Sequence, residues 1–417
     1  MNIKLRLIIL NFLQFFIWGS WLITIGSYWF QTKHWSGTEF GAIFSTMGIA
    51  SLFMPALSGI IADKWINAEK LLGLFHLAGA VILFTLPMVN TPSVFFWVML
   101  INMIFYMPTI SLSITVAYSA LRQENRDVVK DYPPIRVFGT IGFIVAMWIV
   151  SLLHIETSPI QFYVASGASL LLGIYSFTLP KCEIIKSVMQ KTFVESLGLK
   201  AFTLFKNKKM ALFFIFSMLL GASLQLTNAY GDTFIHDFAK IPAFKDLLAV
   251  RYPAIIMSIS QMSETLFILA IPFFLKRYGI KKVMLMSMVA WVFRFGLFAY
   301  GDPASNLWMI ILSCIIYGMA FDFFNISGSL FVEQQTDSGI RASAQGLFMM
   351  MTNGFGAILG SWSSGVIIDL FFKNPEGDFH WKGIWLTFAL YSLVVAVFFA
   401  GLFKHKHNPE EIGEITH

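Results

Sequence analysis

Gln261 and Glu264 stand three residues apart inside a long apolar run, 252–275, so on a helix both side chains leave one face. An amide and a carboxyl placed together can hydrogen-bond a polar solute and hold a proton. A carboxylate inside a bilayer costs several kcal/mol or more unless it faces protein or water. Two other apolar runs repeat the three-residue spacing, one with Gln225 and Asn228, the other with Asp322 and Asn325. Three polar faces in a chain this apolar imply an internal polar cavity, and that cavity would be the working part of the molecule.

The residues around these pairs say what such a cavity would hold. Gln225 and Asn228 offer amide donors and acceptors, which suit a neutral solute with hydroxyl and carbonyl or amine groups. Amides also join helices to one another in lipid, which is the plainer use of the same residues. Tyr317 and Phe321 share a face at i,i+4 with Asp322 beside them, an aromatic wall suited to a planar ring on a polar moiety. Arg136, Thr140 and Phe143 follow Pro133 and Pro134 at i, i+4 and i+7 and share one helical face, which favours the cavity over a cytoplasmic anchor for Arg136. The two prolines suit a helix start, where the missing donor is harmless. Arg294 has no polar neighbour at helical spacing and reads as a structural or snorkelling residue. Trp18 and Trp21, with Gly19, could line the cavity but read better as packing, and Asp63 reads as a conformational latch in a loop.

Composition names the elements that must position these groups. The 417 residues are 57% hydrophobic, 16% aromatic and 12% charged, with a mean hydropathy of +0.71. This is the composition of a polytopic helical membrane protein. Strands of a membrane barrel would alternate over about ten residues instead of running apolar for about twenty. The spacing predicts twelve spans, at 5–30, 39–62, 70–89, 93–120, 134–154, 160–180, 209–233, 250–275, 280–300, 305–331, 341–371 and 383–403. The first is too long for the core of a signal peptide and reads as a retained span.

The polar, basic segment 181–208 divides the chain into a six-helix half at 1–180 and a second at 209–404, with a tail at 405–417. Lys and Arg orient the spans. Lys33, Lys240, Lys245, Arg251, Lys373 and Lys382 fall on one side and Arg294 within a span, while every other Lys and Arg falls opposite. Both termini are therefore expected in the cytoplasm, as an even number of spans requires. The net charge of +6 comes from these loops, so no nucleic acid is needed to account for it. Cys182 and Cys314 give neither a disulfide framework nor a metal spacing. No Walker loop, nucleophile elbow or dinucleotide fingerprint occurs, which leaves transport driven by a gradient or passive, without a cofactor.

The segment Gly59-Ile60-Ile61-Ala62-Asp63-Lys64-Trp65 and its weaker counterpart Phe274-Leu275-Lys276-Arg277-Tyr278-Gly279-Ile280-Lys281-Lys282 resemble the loop after the second span in each half of major facilitator superfamily transporters. Segments 53–65, 133–143, 213–221, 256–277, 321–328 and 342–346 carry a closer match. On these the chain resembles bacterial nucleoside permeases of the nucleoside:proton symporter family, from residue 1 to about 406. It departs from them at Ser223, where an acidic residue is expected, and in 241–251.

The resemblance implies proton-coupled uptake of purine and pyrimidine nucleosides, uridine and adenosine among them, across the bacterial inner membrane by a monomer. It implies binding at Arg136, Thr140, Phe143, Gln225, Asn228, Gln261, Glu264, Tyr317, Phe321 and Asp322, with Glu264 or Asp322 carrying the proton. A sugar:proton symporter and, in another class, a non-transporting membrane sensor are the alternatives; a membrane-embedded enzyme lacks a nucleophile–base or metal pair.

Overall fold

The computed structural model describes residues 2–182, 199–337, 340–374 and 377–405, with the side chains of residues 63 and 129 left aside. Most of the predicted linker, the tail beyond 405 and the Asp63 side chain therefore lie outside the described residues. What is described is helical, and nine helices among the described residues are long and apolar enough to cross a membrane. A further apolar helix, Ile160–Ser176, is shorter.

In chain order the helices are α1 Ile3–Gly19, α2 Gly37–Lys64, α3 Ala68–Thr85, α4 Pro92–Gln123, α5 Val128–Leu152 and α6 Ile160–Ser176. After 199 come α7 Lys208–Asp237, α8 Pro253–Tyr300, α9 Leu307–Gln335, α10 Arg341–Met349, α11 Ala357–Phe371 and α12 Trp381–Leu402. The chain ends that begin α1 and finish α12 mark one end of the bundle, here called the terminal end. Local chemistry sets the starts. Ser36 and Glu39 form a reciprocal capping box on α2, and the Asn207 side chain accepts from the Lys209 and Met210 amides to begin α7.

Three predicted boundaries differ, and the predicted span 341–371 keeps its bounds but not a regular ladder. The first span is not one helix: α1 stops at Gly19, and turns lead into a π-helical segment, Tyr28–Thr32. Ser20 donates to the Phe16 carbonyl at 2.8 Å, the back-bonding that competes with a regular ladder. The predicted loop at 276–279 shrinks to Gly279 alone, whose φ of +76° lets α8 reverse without a longer turn. α5 begins six residues before Pro134, so both prolines lie inside it. Asp131 ties that early turn down, pairing with Lys4 at 2.6 Å and Arg126 at 3.8 Å. Finally, α10 and α11 are joined through a π-helical stretch, Met350–Gly356, that puts an irregular backbone at the cavity wall.

Helices preceding 182 meet helices following 199 most tightly at the end opposite the termini. There Asp369 at the end of α11 accepts from the Gly37 amide (2.9 Å), the Thr38 amide (2.6 Å) and the Thr38 hydroxyl (2.7 Å). An acidic group on the first amides of α2 satisfies donors the helix cannot and sits at the favourable end of its dipole. Ser27 donates to Asp232 at 2.5 Å, Trp148 donates to Ser258 at 2.9 Å, and the His154 ring stacks on Tyr252 at 5.1 Å. Together these contacts seal that end.

Candidate functional site

Beneath the seal lies a cavity of about 830 Å³ whose wall runs down to Phe202, Ala342 and Ser343 near the terminal end. It is large enough for a solute of a few hundred daltons. Close helix approaches hold its two sides. Gly142 of α5 rests against the backbone of Phe12 in α1, where a side chain would collide. Gly318 of α9 likewise rests on the backbone of Ser263 and Glu264 in α8, so a Cβ there would stand 2.6 Å from the Ser263 oxygen. The second contact fixes Glu264 beside Tyr317 and Phe321.

Nine of the ten residues named from the sequence meet at this cavity. α5 contributes Arg136, Thr140 and Phe143 to one wall. α7 contributes Gln225 and Asn228, α8 Gln261 and Glu264, and α9 Tyr317 and Phe321 to the other. Arg136 rests its guanidinium 4.0 Å from the Phe15 ring centre and acts electrostatically on Glu264. Tyr317 and Phe321 lie nearly parallel, 5.8 Å apart with 7° between their planes. Behind Tyr317, Arg294 lies over the ring at 4.6 Å and Trp291 meets it edge-on at 6.0 Å. The aromatic wall is thus braced from behind by a cation and an indole.

Three cavity-lining side chains carry polar atoms that are buried and have no partner among the described residues: the Trp18 indole nitrogen, the Gln225 oxygen and the Gln261 oxygen. A donor and two acceptors left unpaired in an apolar wall are costly unless a solute meets them. This is the chemistry of a site for a neutral, multiply hydrogen-bonding molecule with a flat apolar face.

Asp322 is the exception. It is 4% exposed and does not line the cavity, and one of its carboxyl oxygens has no partner among the described residues. Five residues on from Tyr317 it lies about 140° round the helix, away from the Tyr317–Phe321 face. Glu264 still acts on it electrostatically. Asn325 turns back to the Phe321 carbonyl at 3.2 Å, so the third polar pair of the sequence does not face the cavity.

Asn353 was not anticipated at the wall and Trp18 was read as packing in preference to lining, but both reach the cavity, while Trp21 is packed in the core. Asn353 carried one signal, the Asn-Gly of a helix that would otherwise be regular. Arg294 is fully buried as expected of a structural residue, donating to the Ser313 carbonyl at 2.6 Å and more weakly to Ser260 at 3.4 Å.

Comparison with known proteins decides what kind of site this is. A family model described as nucleoside H+ symporter matches residues 1–408. The chain belongs to that family. Membership makes it a nucleoside:proton symporter, a multi-pass membrane transporter and not an enzyme.

Among relatives of this symporter is a xanthosine permease of Escherichia coli, 56% identical over the whole of both chains. The nucleoside permease NupG of the same organism is 54% identical, covering 98% of this chain and 97% of its own. A crystal structure of the nucleoside transporter NupG superposes with a TM-score of 0.92 over 97% of this chain and all of the other. A POT family transporter matches at a TM-score of 0.70 with 12% identity, a likeness of fold alone.

Proposed function

We propose that this symporter takes purine and pyrimidine nucleosides, uridine and adenosine among them, into the cell by alternating access between two six-helix halves, 1–180 and 209–404, joined by the linker 181–208 and followed by the tail 405–417. In this reading α8 supplies two of twelve spans, one on each side of Gly279, and α10 with α11 supplies one. Both termini face the cytoplasm of a bacterium, the protein works as a monomer, and a cavity sealed at the far end is in its inward-facing state. Asp63 acts as a latch on the cytoplasmic side.

One observation carries the binding reading. Amide oxygens of Gln225 and Gln261, unpaired among the described residues, share a cavity with the parallel rings of Tyr317 and Phe321. The amides, with Asn228 and Thr140, bond ribose hydroxyls and base edges, while Tyr317, Phe321 and Phe143 pack on the base. Glu264 takes up the proton with the cavity open to the outside, so that closing does not bury a bare carboxylate. Opening inward hydrates the carboxyl, and the proton and nucleoside leave together. Asp322, behind the wall, lies within electrostatic reach of Glu264.

Uptake of labelled uridine into proteoliposomes tests this. An inward proton gradient should drive accumulation, and adenosine should compete. Xanthosine belongs in the competitor panel because of the permease of that name. Equilibration without accumulation under the gradient would refute the coupling, and competition by free ribose alone would favour a sugar carrier.

A further inference from the structure

A second pair of carboxyls lies outside the cavity, in the seal. Asp232 of α7 is fully buried and receives the Ser27 hydroxyl from the segment after α1 at 2.5 Å. Its other oxygen is buried with no partner among the described residues. Glu156, in the turn between α5 and α6, is 2% exposed and receives the Ser151 hydroxyl at 2.5 Å. The two are linked through the chain that carries Ser27. Thr24, one turn earlier, donates to Gln161 at 2.8 Å, and Gln161 donates to the Glu156 carbonyl at 2.8 Å. The pair therefore joins elements from both sides of the seal.

No cation pairs with either carboxyl among the described residues. The charged groups nearby are otherwise engaged: Lys240 with Asp237 and Asp378, Lys33 with the Val89 carbonyl and Asn90, and Arg251 over Tyr252. His236, one turn beyond Asp232, interacts with Asp237 and His154, and His154 stacks on Tyr252. Two buried negative charges acting on each other without a counter-ion cannot both persist at modest cost.

We propose that Glu156 and Asp232 form a proton-binding site in the seal, separate from the coupling carboxyl Glu264, and that this site must hold a proton for the seal to close. One proton held by the pair explains two carboxyls that are buried without a cation and each accept from a serine hydroxyl, and the unpartnered Asp232 oxygen is one place for it. Burial and the charge of Asp232 push the Glu156 carboxyl up to about 8, well above the ordinary carboxylate range. A raised value in the sealed form means that the sealed form binds the proton more tightly than the open one. Acid therefore favours the seal, and the preference fades as pH rises through that value. The orientation proposed above puts this site on the outer face, where acid outside would close the gate behind a loaded cavity.

The test is the distance between spin labels on Cys introduced at Ser93 and Ala304, exposed residues at the sealed end on opposite sides of the seal, with the full chain in nanodiscs and no nucleoside present. Raising pH from 5 to 9 should shift wild type from the short to the long distance, by up to tenfold in population ratio per pH unit for one proton. Asp232→Asn keeps an acceptor for Ser27 and should stay short at every pH, and Glu156→Gln should do the same. Glu264→Gln should retain the shift. A wild-type distance that ignores pH, an Asp232→Asn and Glu156→Gln pair that still shift, or a Glu264→Gln chain that no longer shifts would each overturn the proposal. None of these outcomes touches nucleoside transport, which uridine uptake reads separately.

Discussion

The guanidinium of Arg294 lies 4.6 Å from the centre of the Tyr317 ring, on the side away from the cavity's open space, with its NH1 donating to the Ser313 carbonyl at 2.6 Å. No carboxylate pairs with it among the described residues. A buried cation in this setting is held by the ring faces of Tyr317 and Phe298 and by hydrogen bonds to Thr227 and Ser260. Its planar shape is what lets it both stack and donate.

Arg294→Lys keeps the charge and loses the plane, so it should loosen Tyr317 without removing it. The expected result is an apparent nucleoside affinity about tenfold weaker, equivalent to a cation–π contact of about 1–2 kcal/mol. Binding of labelled uridine to purified protein checks this, and an unchanged affinity would make Arg294 purely a packing residue. Arg294→Met should instead lower the melting temperature, since the Ser313 carbonyl loses its donor.

Removing half of the aromatic wall separates stacking from hydrogen bonding. Phe321→Ala deletes a ring that lies 5.8 Å from Tyr317 and at 7° to it. Affinity for every nucleoside should fall about two- to tenfold, because a face-on contact of about 0.5–1.5 kcal/mol does not distinguish bases. Gln261→Ala should act unevenly, weakening some nucleosides far more than others, as an edge-reading amide does. Competition curves for uridine, adenosine and xanthosine against each variant would show the contrast, and a uniform loss in both would refute the division of labour.

Much of the site was legible because three-residue spacing on a helix needs no tertiary knowledge. Gln225 with Asn228, and Gln261 with Glu264, reach one cavity as that spacing demands. Asp322 shows where such reading stops. Its charge in a span pointed to function, but charge does not say which way a side chain faces once Tyr317 and Phe321 have taken the cavity side. Trp18 was read as packing because aromatics in spans mostly pack, and only the path of α1 past Phe143 shows it at the wall. The break after Gly19 and the π-helical turn at 350–356 also escaped, since irregular ladders come from tertiary contacts that periodicity does not carry. The seal pair was missed for another reason: Glu156 sits in a turn and Asp232 near a helix end, where carboxyls are ordinarily solvated.

Gly318 makes a prediction about geometry alone. A Cβ there would stand 2.6 Å from the Ser263 oxygen and close to the Glu264 amide, so α8 and α9 must part to admit it. Gly318→Ala should cost about 1–3 kcal/mol of stability, the usual penalty of overpacking. It should also cut uptake about tenfold or more, because Glu264 moves relative to Tyr317. Gly296→Ala is the control: nothing lies within 4 Å of a Cβ there, so both readouts should stay near wild type. If Gly318→Ala transports normally, the helix contact does not position the site.

The two carboxyls of the binding region should separate by experiment because only one of them lines the cavity. Glu264→Gln removes the group that a proton and a solute could both reach, and it keeps the side-chain volume. Accumulation against a concentration gradient should vanish, while exchange of labelled for unlabelled uridine, which needs no net proton movement, should persist. Asp322→Asn leaves that group in place and alters a residue that does not line the cavity, so gradient-driven accumulation should survive. Parallel measurements of uptake and exchange from pH 5 to 8 distinguish the two. If Asp322→Asn abolishes accumulation while Glu264→Gln spares it, the coupling proton resides on Asp322 and the cavity carboxyl serves only the nucleoside.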